Sequence, residues 1–380
     1  MVVGSFNKLN VRRIVAHVRR HGPQTRATLT KELNVTPATI TRLTSELLEH
    51  GVMEEMPDPS KKGQKGFPSK LLKLKSESLL TAGIYFDPDT LYTCLADLEG
   101  NIVSEEHFPI EDRDFHTIME NASASIHKQL VQTEIDVSRV VGCGVSYPGQ
   151  NTDTPGRTMK IKQFADWPLI DLRNDLAKYF EFPVYHINDA KAACLAELYY
   201  GTCKSYQHYC YIWLSYGIGG AAVINQSLYL GHNQAAAEFT GLFPKSKPRP
   251  SGQHLLDTLV SEGFDIERLD QLTLEHLEAP CVKEWVVRST EQIKWLCLVI
   301  ARTFAPDAIV IGGTLHSSLI NQIQKAVSQE TELGEDYSIQ PPQILRATTD
   351  NKPQLGAAVL PMDELINPAR YQGRIHKTDR

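Results

Sequence analysis

Apolar residues recur at helical spacing in the first part of the chain. Between Phe6 and His21 they stand at i, i+3, i+4 and i+7, which places them on one face of a helix, and Gly22-Pro23 ends it. A second helix is predicted from Arg26 to Leu33 after Thr25. The stripe of the first helix consists of Val11, Ile14, Val15 and Val18.

A third helix has the clearest start signal in the chain. Thr36 is suited to cap the unpaired backbone N–H groups, and Pro37 fits the first helical position. Val35 is placed to pack on Ile40 across the cap. Its inward stripe is predicted to be Ile40, Leu43 and Leu47.

The opposite face of this third helix carries short or hydrogen-bonding side chains near the helix N-terminus. This is the pattern of a recognition helix that contacts base edges in the major groove of DNA. A three-helix unit without DNA contacts is the alternative. The predicted contact residues are Thr36, Ala38, Thr39, Thr41, Arg42 and Ser45.

Two short apolar segments with a basic tip follow Gly51. Val52–Met56 and Lys70–Leu74 flank a segment rich in Pro, Gly and Lys, which predicts a β-hairpin of the kind called a wing. The basic residues suit phosphate or minor-groove contacts. They are Lys61, Lys62, Lys65 and Lys70.

From Leu79 onward, predicted strands alternate with amphipathic helices, which indicates an α/β body. A hairpin-like pair, 79–86 and 91–98, turns at Asp87-Pro88-Asp89. Further strands are predicted at 140–145, 183–187, 209–214, 221–224, 308–311 and 343–346. Helices are predicted at 115–131, 169–180, 190–200, 282–304 and 315–330.

Charge divides the 380 residues at the same point as the hydrophobic pattern. Residues 1–75 carry 14 Lys and Arg against 6 Asp and Glu, whereas the rest carry 25 against 39, so the formal net charge of −6 conceals a basic head on an acidic body. A basic head is typical of a module that binds a polyanion, although a solvated charged face is the alternative. The N-terminal residues do not resemble a signal peptide and the apolar segments are short, so we expect a cytoplasmic protein, nucleoid-associated when bound to DNA.

Four ordered segments resemble the bacterial family of repressors, open reading frames and kinases, abbreviated ROK. They are GCGVSYPG at 142–149, INDAKAACLAE at 187–197, YGIGGAAVINQSLYLG at 216–231 and IVIGGTL at 309–315. The match extends to 164–172 and 356–360. The resemblance implies an α/β actin-like (ribonuclease-H-like ATPase) two-lobed sugar-kinase fold, preceded by a winged helix-turn-helix. We expect domains at 1–78 and 79–380, with lobe one at about 79–188 plus a C-terminal helix at about 354–366, and lobe two at about 189–350.

The resemblance also locates the remains of a kinase site. Asn188 and Asp189 match the family's NDA motif, in which both residues hold sugar hydroxyls and the Asp is the general base. Asp189 as the N-terminal cap of its helix is the structural alternative. Where family kinases have D-x-G-G-T, this chain has Tyr85-Phe86-Asp87-Pro88-Asp89, whose charges disfavour ATP, and Tyr216 replaces a Thr in the second phosphate segment. We therefore expect no enzyme activity, with Asp189 as a vestigial base and the surviving glycines keeping a βα turn tight.

The ligand pocket implied by the resemblance is incomplete. Glu238 matches the Glu of the E-x-G-H element, but Gly241 stands where its His falls. The segment that follows, Leu242–Gly252, has no Cys or His, and the later family Glu falls near Leu255. We expect a ligand site of Asn188, Asp189 and Glu238, with no metal and no cofactor. The seven cysteines form no CxxC pair and are expected to be reduced thiols.

The functional hypothesis is a transcriptional regulator, most simply a repressor of carbohydrate-uptake or catabolic genes. Double-stranded DNA with a pseudo-palindromic operator is the expected partner, bound by a homodimer or tetramer. The resemblance implies a sugar or sugar-phosphate effector, or a sugar-transport protein. Two alternatives remain: an active sugar kinase with a fused DNA-binding head, and a regulator controlled by a transport protein without a small ligand.

Overall fold

The N-terminal part of the chain folds as a one-turn helix, three longer helices and a hairpin. The computed structural model describes residues 2–59, 70–151, 158–159, 164, 172–244, 246–329 and 340–370. The first elements are α1 (Val2–Ser5), α2 (Leu9–His21), α3 (Arg26–Leu33), α4 (Pro37–Glu49), β1 (Met53–Pro57) and β2 (Lys70–Leu74). Helix α2 begins at Leu9 rather than at the predicted Phe6, because α1 and a turn precede it.

The core of this head is built from the predicted apolar stripes. Val11, Ile14, Val15 and Val18 of α2 are buried, as are Ile40, Leu43 and Leu47 of α4. The caps are also those expected from the sequence. The Thr25 hydroxyl accepts a hydrogen bond from the Thr28 amide at 3.0 Å, and the Thr36 hydroxyl accepts one from the Thr39 amide at 3.4 Å. Each such cap contributes about 1 kcal/mol.

The hairpin packs against the head through backbone pairing. Strands β1 and β2 are antiparallel, with Met53 opposite Leu74 and Pro57 opposite Lys70. Gln24, just before α3, exchanges two backbone hydrogen bonds with Leu72, at 3.0 and 2.8 Å. The wing predicted from the sequence is therefore present at its base, while Lys61, Lys62 and Lys65 at its tip lie outside the described residues.

A five-stranded sheet forms the first half of the body. Its strands are β3 (Leu80–Phe86), β4 (Thr90–Asp97), β5 (Ile102–Pro109), β6 (Val140–Tyr147) and β9 (Val184–Asn188), in the order β5-β4-β3-β6-β9. The first three strands are antiparallel, whereas β3, β6 and β9 are parallel. Strand β5 was not predicted, because it is an edge strand that alternates half-buried and exposed residues.

A second five-stranded sheet forms the other half. Its strands are β10 (Tyr209–Leu214), β11 (Ile218–Ile224), β12 (Ser227–Tyr229), β13 (Ala308–Gly312) and β14 (Gln343–Arg346), in the order β12-β11-β10-β13-β14. Two further short strands, β7 (Gln150–Asn151) and β8 (Thr158–Met159), pair with each other.

Two buried helices lie between the sheets. Helix α7 (Asp189–Tyr199) packs on β10 and β11, helix α12 (Pro353–Ile366) packs on β3 and β6, and the two helices pack on each other. Strand β10 is buried on both faces, so its residues alternate between two cores: Tyr209, Tyr211 and Trp213 face α7, and Cys210, Ile212 and Leu214 face the outer helices.

The remaining helices cover the outer faces. They are α5 (Phe115–Gln132), α6 (Leu172–Leu176), α8 (Gly252–Ser261), α9 (Leu274–Glu278), α10 (Pro280–Phe304) and α11 (Ser317–Ser328). The helix predicted at 169–180 is helical only at 172–176 within the described residues, and α8 and α9 were not predicted. All seven cysteines are free, and six of them are buried. Among the described residues, no helix is long and apolar enough to cross a membrane.

Candidate nucleic-acid interface and ligand cleft

Helix α4 presents a polar face to solvent. Its first helical turns carry the residues predicted from the sequence to contact DNA, and the buried stripe on the other side fixes their direction. Thr36, Ala38, Thr41, Arg42 and Ser45 are exposed, and Thr39 is half-buried. A helix with its N-terminal side chains exposed in this way is able to enter a major groove.

A polar network holds α4 against its neighbours. Arg26 at the start of α3 donates from Nε to the hydroxyl of buried Thr44 at 3.0 Å, and its Nη1 lies 2.9 Å from a carboxylate oxygen of Glu55. Glu55 in turn pairs with Lys70 at 2.5 Å. Lys70, predicted to contact DNA, is thus at the base of the wing in an exposed ion pair, which contributes little to stability.

The predicted ligand residues stand where β9 ends and α7 begins. Asn188 caps α7: its Oδ1 accepts from the Ala190 amide at 3.0 Å, and its Nδ2 donates to the Gly149 carbonyl at 2.6 Å. The alternative in which Asp189 is the cap is therefore wrong, because Asp189 is the first helical residue. Its Oδ1 nevertheless also accepts from the Ala190 amide, at 2.8 Å.

The Asp189 carboxyl group lies near the side chains of Tyr85 and Tyr147. Although part of the residue remains accessible, loss of hydration raises the pKa of Asp189 to about 7, against lowering contributions from the Ala190 amide and Lys191. Burial, followed by the nearby Asp189 charge, raises the pKa of Tyr147 well above its ordinary value. A carboxyl group with a pKa near 7 is able both to donate a hydrogen bond to a ligand hydroxyl and to accept one.

Lys191, close to Asp189 in the sequence, forms an ion pair with Glu238. It stands two residues after Asp189 on α7, only 1% of it is exposed, and its Nζ lies 2.7 Å from Oε1 of Glu238. The structure thus brings Asn188, Asp189 and Glu238 to one end of α7, where the buried Lys191 cation pairs with Glu238. Sequence analysis missed Lys191, although a single charged residue among consecutive alanines in INDAKAACLAE is a detectable signal.

The turn after β3 has a different arrangement. Asp87 Oδ1 accepts from the amides of Asp89 and Thr90, both at 2.9 Å, so the carboxylate closes its own turn. Burial raises the pKa of Asp87 to about 6 and raises that of Asp89 as well. The Asp87 and Asp89 carboxyl groups, expected from the sequence to carry charge here, consequently have partners within the protein.

Tyr216 crosses the cleft to this turn. Its hydroxyl donates to Oδ2 of Asp89 and accepts from the Leu269 amide at 3.1 Å. Arg113 adds an ion pair to Asp89 at 3.6 Å. Tyr85 is 1% exposed, and burial together with nearby Asp87 and Asp189 raises its pKa well above the ordinary value. These contacts tie the turn after β3 to Tyr216 and Arg113.

Gly219 and Gly220 of the second phosphate segment lie in strand β11, whereas Gly313 lies in the turn between β13 and α11. A Cβ on Gly219 would lie 2.8 Å from the Ala190 Cβ, and one on Gly220 would lie 2.2 Å from the Phe239 ring. Both glycines allow close packing, with α7 on one side and the Glu238 segment on the other.

The residues expected to replace family ligands are not directed into a pocket. Leu255 lies in α8 and is fully buried among apolar residues of lobe two. Gly241 lies in an exposed turn at Phe239–Leu242. Within the described ranges, no group of three or more His, Cys, Asp and Glu side chains is arranged to hold a metal ion.

The fold and these two sites define a class: a winged helix-turn-helix head on a two-lobed body with a polar cleft at its centre. The chain is similar to known proteins over nearly its whole length. It is 30% identical to the uncharacterized protein y4fQ of Sinorhizobium fredii (strain NBRC 101917 / NGR234), over 85% of this chain and 82% of that protein. It is 22% identical to the xylose repressor of Bacillus subtilis (strain 168), over 95% and 96% respectively.

Solved structures have the same fold. A ROK family transcriptional regulator described as a homolog of the E. coli MLC protein superposes with a TM-score of 0.72 at 17% identity, over 98% of this chain and all of that one. A ROK family glucokinase from Streptomyces griseus, solved with glucose and AMPPNP, superposes with a TM-score of 0.59 at 21% identity, over 74% and 98%. The body therefore has the actin-like, two-lobed sugar-kinase fold.

The family model described as "ROK family" matches residues 81–248. These residues include the turn after β3 and the start of α7. The chain belongs to the ROK family.

Proposed function

We propose that this protein is a DNA-binding transcriptional regulator, a repressor of carbohydrate-uptake or catabolic genes, with a DNA-binding head at 1–78 and a sensor at 79–380. The observation that carries this proposal is the exposed polar face of α4, held by a capped start and a buried stripe. The similarity to a protein named xylose repressor supports it.

In the proposed complex, α4 lies in the major groove. Arg42 and the hydroxyl groups of Thr36, Thr39, Thr41 and Ser45 contact base edges, and Ala38 provides an apolar contact. The wing lysines, Lys61, Lys62, Lys65 and Lys70, contact phosphate oxygens, which give affinity without sequence information. Two heads in a symmetric dimer or tetramer would match a pseudo-palindromic operator. The proposed location is the cytoplasm, on the nucleoid when DNA is bound.

The proposed effector site is the cleft at the start of α7. Asn188, Asp189 and Glu238 supply amide and carboxyl groups of the kind that bind sugar hydroxyls. Lys191 offsets one of the two carboxyl charges, which favours an uncharged sugar over a sugar phosphate as effector. Binding there is proposed to change the closure of the lobes and so the geometry of the paired heads.

We propose that the protein is not an active kinase, because Asp89, Tyr216 and Tyr85 occupy the phosphate side of the cleft. The retained Asp189 makes the kinase the second candidate. An ADP-release assay with D-xylose, D-glucose and N-acetylglucosamine distinguishes the two. We expect no turnover above that of Asp189→Asn. Turnover that Asp189→Asn abolishes would establish the kinase instead.

The experiment that tests DNA binding begins with enrichment of duplexes from a random pool by the full chain. Arg42→Ala is expected to weaken binding to the enriched duplex by about tenfold or more without loss of folding, because one base contact is removed. Lys325→Ala, which removes an exposed charge on distant α11, is the control. Binding is also expected to weaken steeply with salt. Unchanged affinity and preference in Arg42→Ala would remove that residue from the contact set.

Control by a transport protein in place of a small ligand is the other alternative for the sensor. A thermal-shift screen over the same sugars tests it, because a ligand that binds the folded state raises the melting temperature. Stabilisation by a sugar favours the cleft as the effector site. Absence of any stabilisation, together with capture of a sugar-transport protein by the full chain, favours the partner.

A further inference from the structure

Two arginines on one face of α2 fasten the head to the sensor. Arg12 and Arg19 are seven residues apart, two helical turns, so their side chains point in the same direction. Arg12 is 1% exposed, and its Nη1 donates to the carbonyls of Glu364 at 2.8 Å and Asn367 at 3.4 Å, at the end of α12. Its Nε donates to the Phe6 carbonyl at 2.7 Å, which fixes the guanidinium.

Arg19 makes the corresponding contact with the end of α7. Its Nη1 donates to the Tyr199 carbonyl at 2.9 Å, and its guanidinium carbon lies 3.9 Å from the centre of the Tyr199 ring. The last carbonyls of a helix carry partial negative charge and lack partners within the helix, so a cation there is favourable. The guanidinium over the ring adds a cation–π contact.

The two sensor helices that receive these arginines are joined to each other. The Tyr199 hydroxyl donates to Oδ1 of Asp363 on α12 at 2.8 Å. Near the end of α7, the fully buried Glu197 accepts from the amides of Thr348 and Thr349, both at 2.7 Å, in the loop that leads to α12. The C-terminal ends of α7 and α12 therefore form one connected surface under the head.

The other end of α7 is the candidate ligand site. The helix runs from Asp189 to Tyr199, about 16 Å at 1.5 Å per residue. Residues 190–199 are buried, and the following Tyr200 is half-buried. At its first turn α7 packs tightly on β11, since a Cβ on Gly219 would lie 2.8 Å from the Ala190 Cβ. A buried helix packed along its length is able to carry a displacement at its first turn to its last.

We infer that α7 connects the effector cleft directly to the DNA-binding head, and that Arg19, with Arg12 beside it, is the positioning residue that receives the movement. This inference rests on the proposed function, since it assigns the regulation of that same cleft. Ligand contact with Asp189 or Lys191 at the first turn would shift the Tyr199 carbonyl and ring. Because Arg19 is bound to both, α2 would follow and re-aim α4.

A double-mutant cycle on the full chain tests this without a known ligand. Asp189→Asn perturbs the first turn of α7, and Lys191→Gln is a second perturbation of the same turn. Hydrogen exchange of the α2 amides is measured for each variant, alone and combined with Arg19→Gln. We expect each α7 substitution to change α2 exchange by about threefold or more in the otherwise unaltered chain, and to leave it unchanged in the Arg19→Gln background.

Arg13→Gln is the matched control. Arg13 lies on the same helix but donates to Asn10 and to the Leu33 carbonyl, both within the head. In its background the response to Asp189→Asn should persist. The inference is overturned if the α7 substitutions do not change α2 exchange when Arg19 is present. It is also overturned if that change persists in the Arg19→Gln background.

Affinity for the enriched duplex is measured on the same variants. If no duplex is enriched, the proposed function fails, while hydrogen exchange still decides the coupling.

Discussion

The two sides of the central cleft differ in what their polar groups contact. On the side of α7, Asn188 and Asp189 stand at the start of the helix, and Glu238 pairs with the buried Lys191. On the side of the β3 turn, Asp87 closes its own turn and Asp89 is bound by Tyr216 from the facing lobe. The α7 side has polar groups suited to hydroxyl recognition. On the other side, the carboxyl groups of Asp87 and Asp89 form hydrogen bonds within the protein.

This difference indicates how a kinase-type fold serves regulation. Phosphoryl transfer requires a backbone cradle for phosphate in addition to a carboxylate at the sugar, whereas sensing requires only the second. In this chain Tyr216 and Asp89 form a contact across the cleft. The sugar side lies at the start of the helix whose end binds Arg19 of the head.

The largest expected effect concerns the buried ion pair of the sugar side. Lys191→Met should lower the free energy of unfolding by about 3–5 kcal/mol, because Glu238 loses its buried cation. Lys283→Met, which removes an exposed pair with Glu278, should cost less than about 1 kcal/mol. Urea denaturation of both variants provides the measurement. Equal losses would contradict the distinction between the cleft and the surface.

The second prediction concerns pH. The pKa of Asp189 in the folded protein, about 7, lies above its ordinary 3.8, so the folded state holds this proton more tightly than the unfolded state. The resulting stability is present near pH 4 and is lost as the pH rises through 7. The Asp189→Asn variant should therefore be more stable to unfolding than the unaltered protein at pH 8, by up to about 4 kcal/mol. Near pH 4 the difference should be small.

Denaturation at several pH values measures this difference. The exposed Glu120, replaced by Gln, is the control and should follow the unaltered protein. A pH-independent difference for Asp189→Asn would mean that the carboxyl group is not held protonated by burial.

The smallest expected effect concerns the phosphate side. Tyr216→Phe should cost about 1–3 kcal/mol, because Asp89 loses a donor and the Leu269 amide loses an acceptor. Tyr206→Phe, which removes an exposed hydroxyl contact with Gln343, should cost less. Thermal unfolding compares them. A Tyr216→Phe variant as stable as the unaltered protein would show that this contact does not join the lobes, and the contrast between the two sides would fail.

Much of the head was predictable from sequence because its signals are local. The cap at Thr36, the proline after it and the stripe of Ile40, Leu43 and Leu47 depend on residues within three turns of one another. The strand β5 was missed because an edge strand buries neither face fully. Helix α8 was missed although its signals are local, since Ser251 caps it and Leu255, Leu256 and Leu259 form its buried stripe.

The cleft likewise combines residues that the sequence predicts with contacts that it does not. Its residues Asn188, Asp189 and Glu238 followed from motif resemblance, but Lys191 did not, since its partner is 47 residues away along the chain. The Tyr216 contact with Asp89 joins residues 127 apart. No local pattern specifies such a pair.

Neighbouring residues were enough to predict the three-helix head, the polar face of α4 and the α/β order of the body, because each depends on a local pattern. Only the tertiary structure shows that Lys191 pairs with Glu238, that Tyr216 reaches Asp89, and that Arg12 and Arg19 reach the ends of α12 and α7. These contacts arise only when two sheets and two buried helices bring remote segments together, so their physical cause is packing and not local propensity.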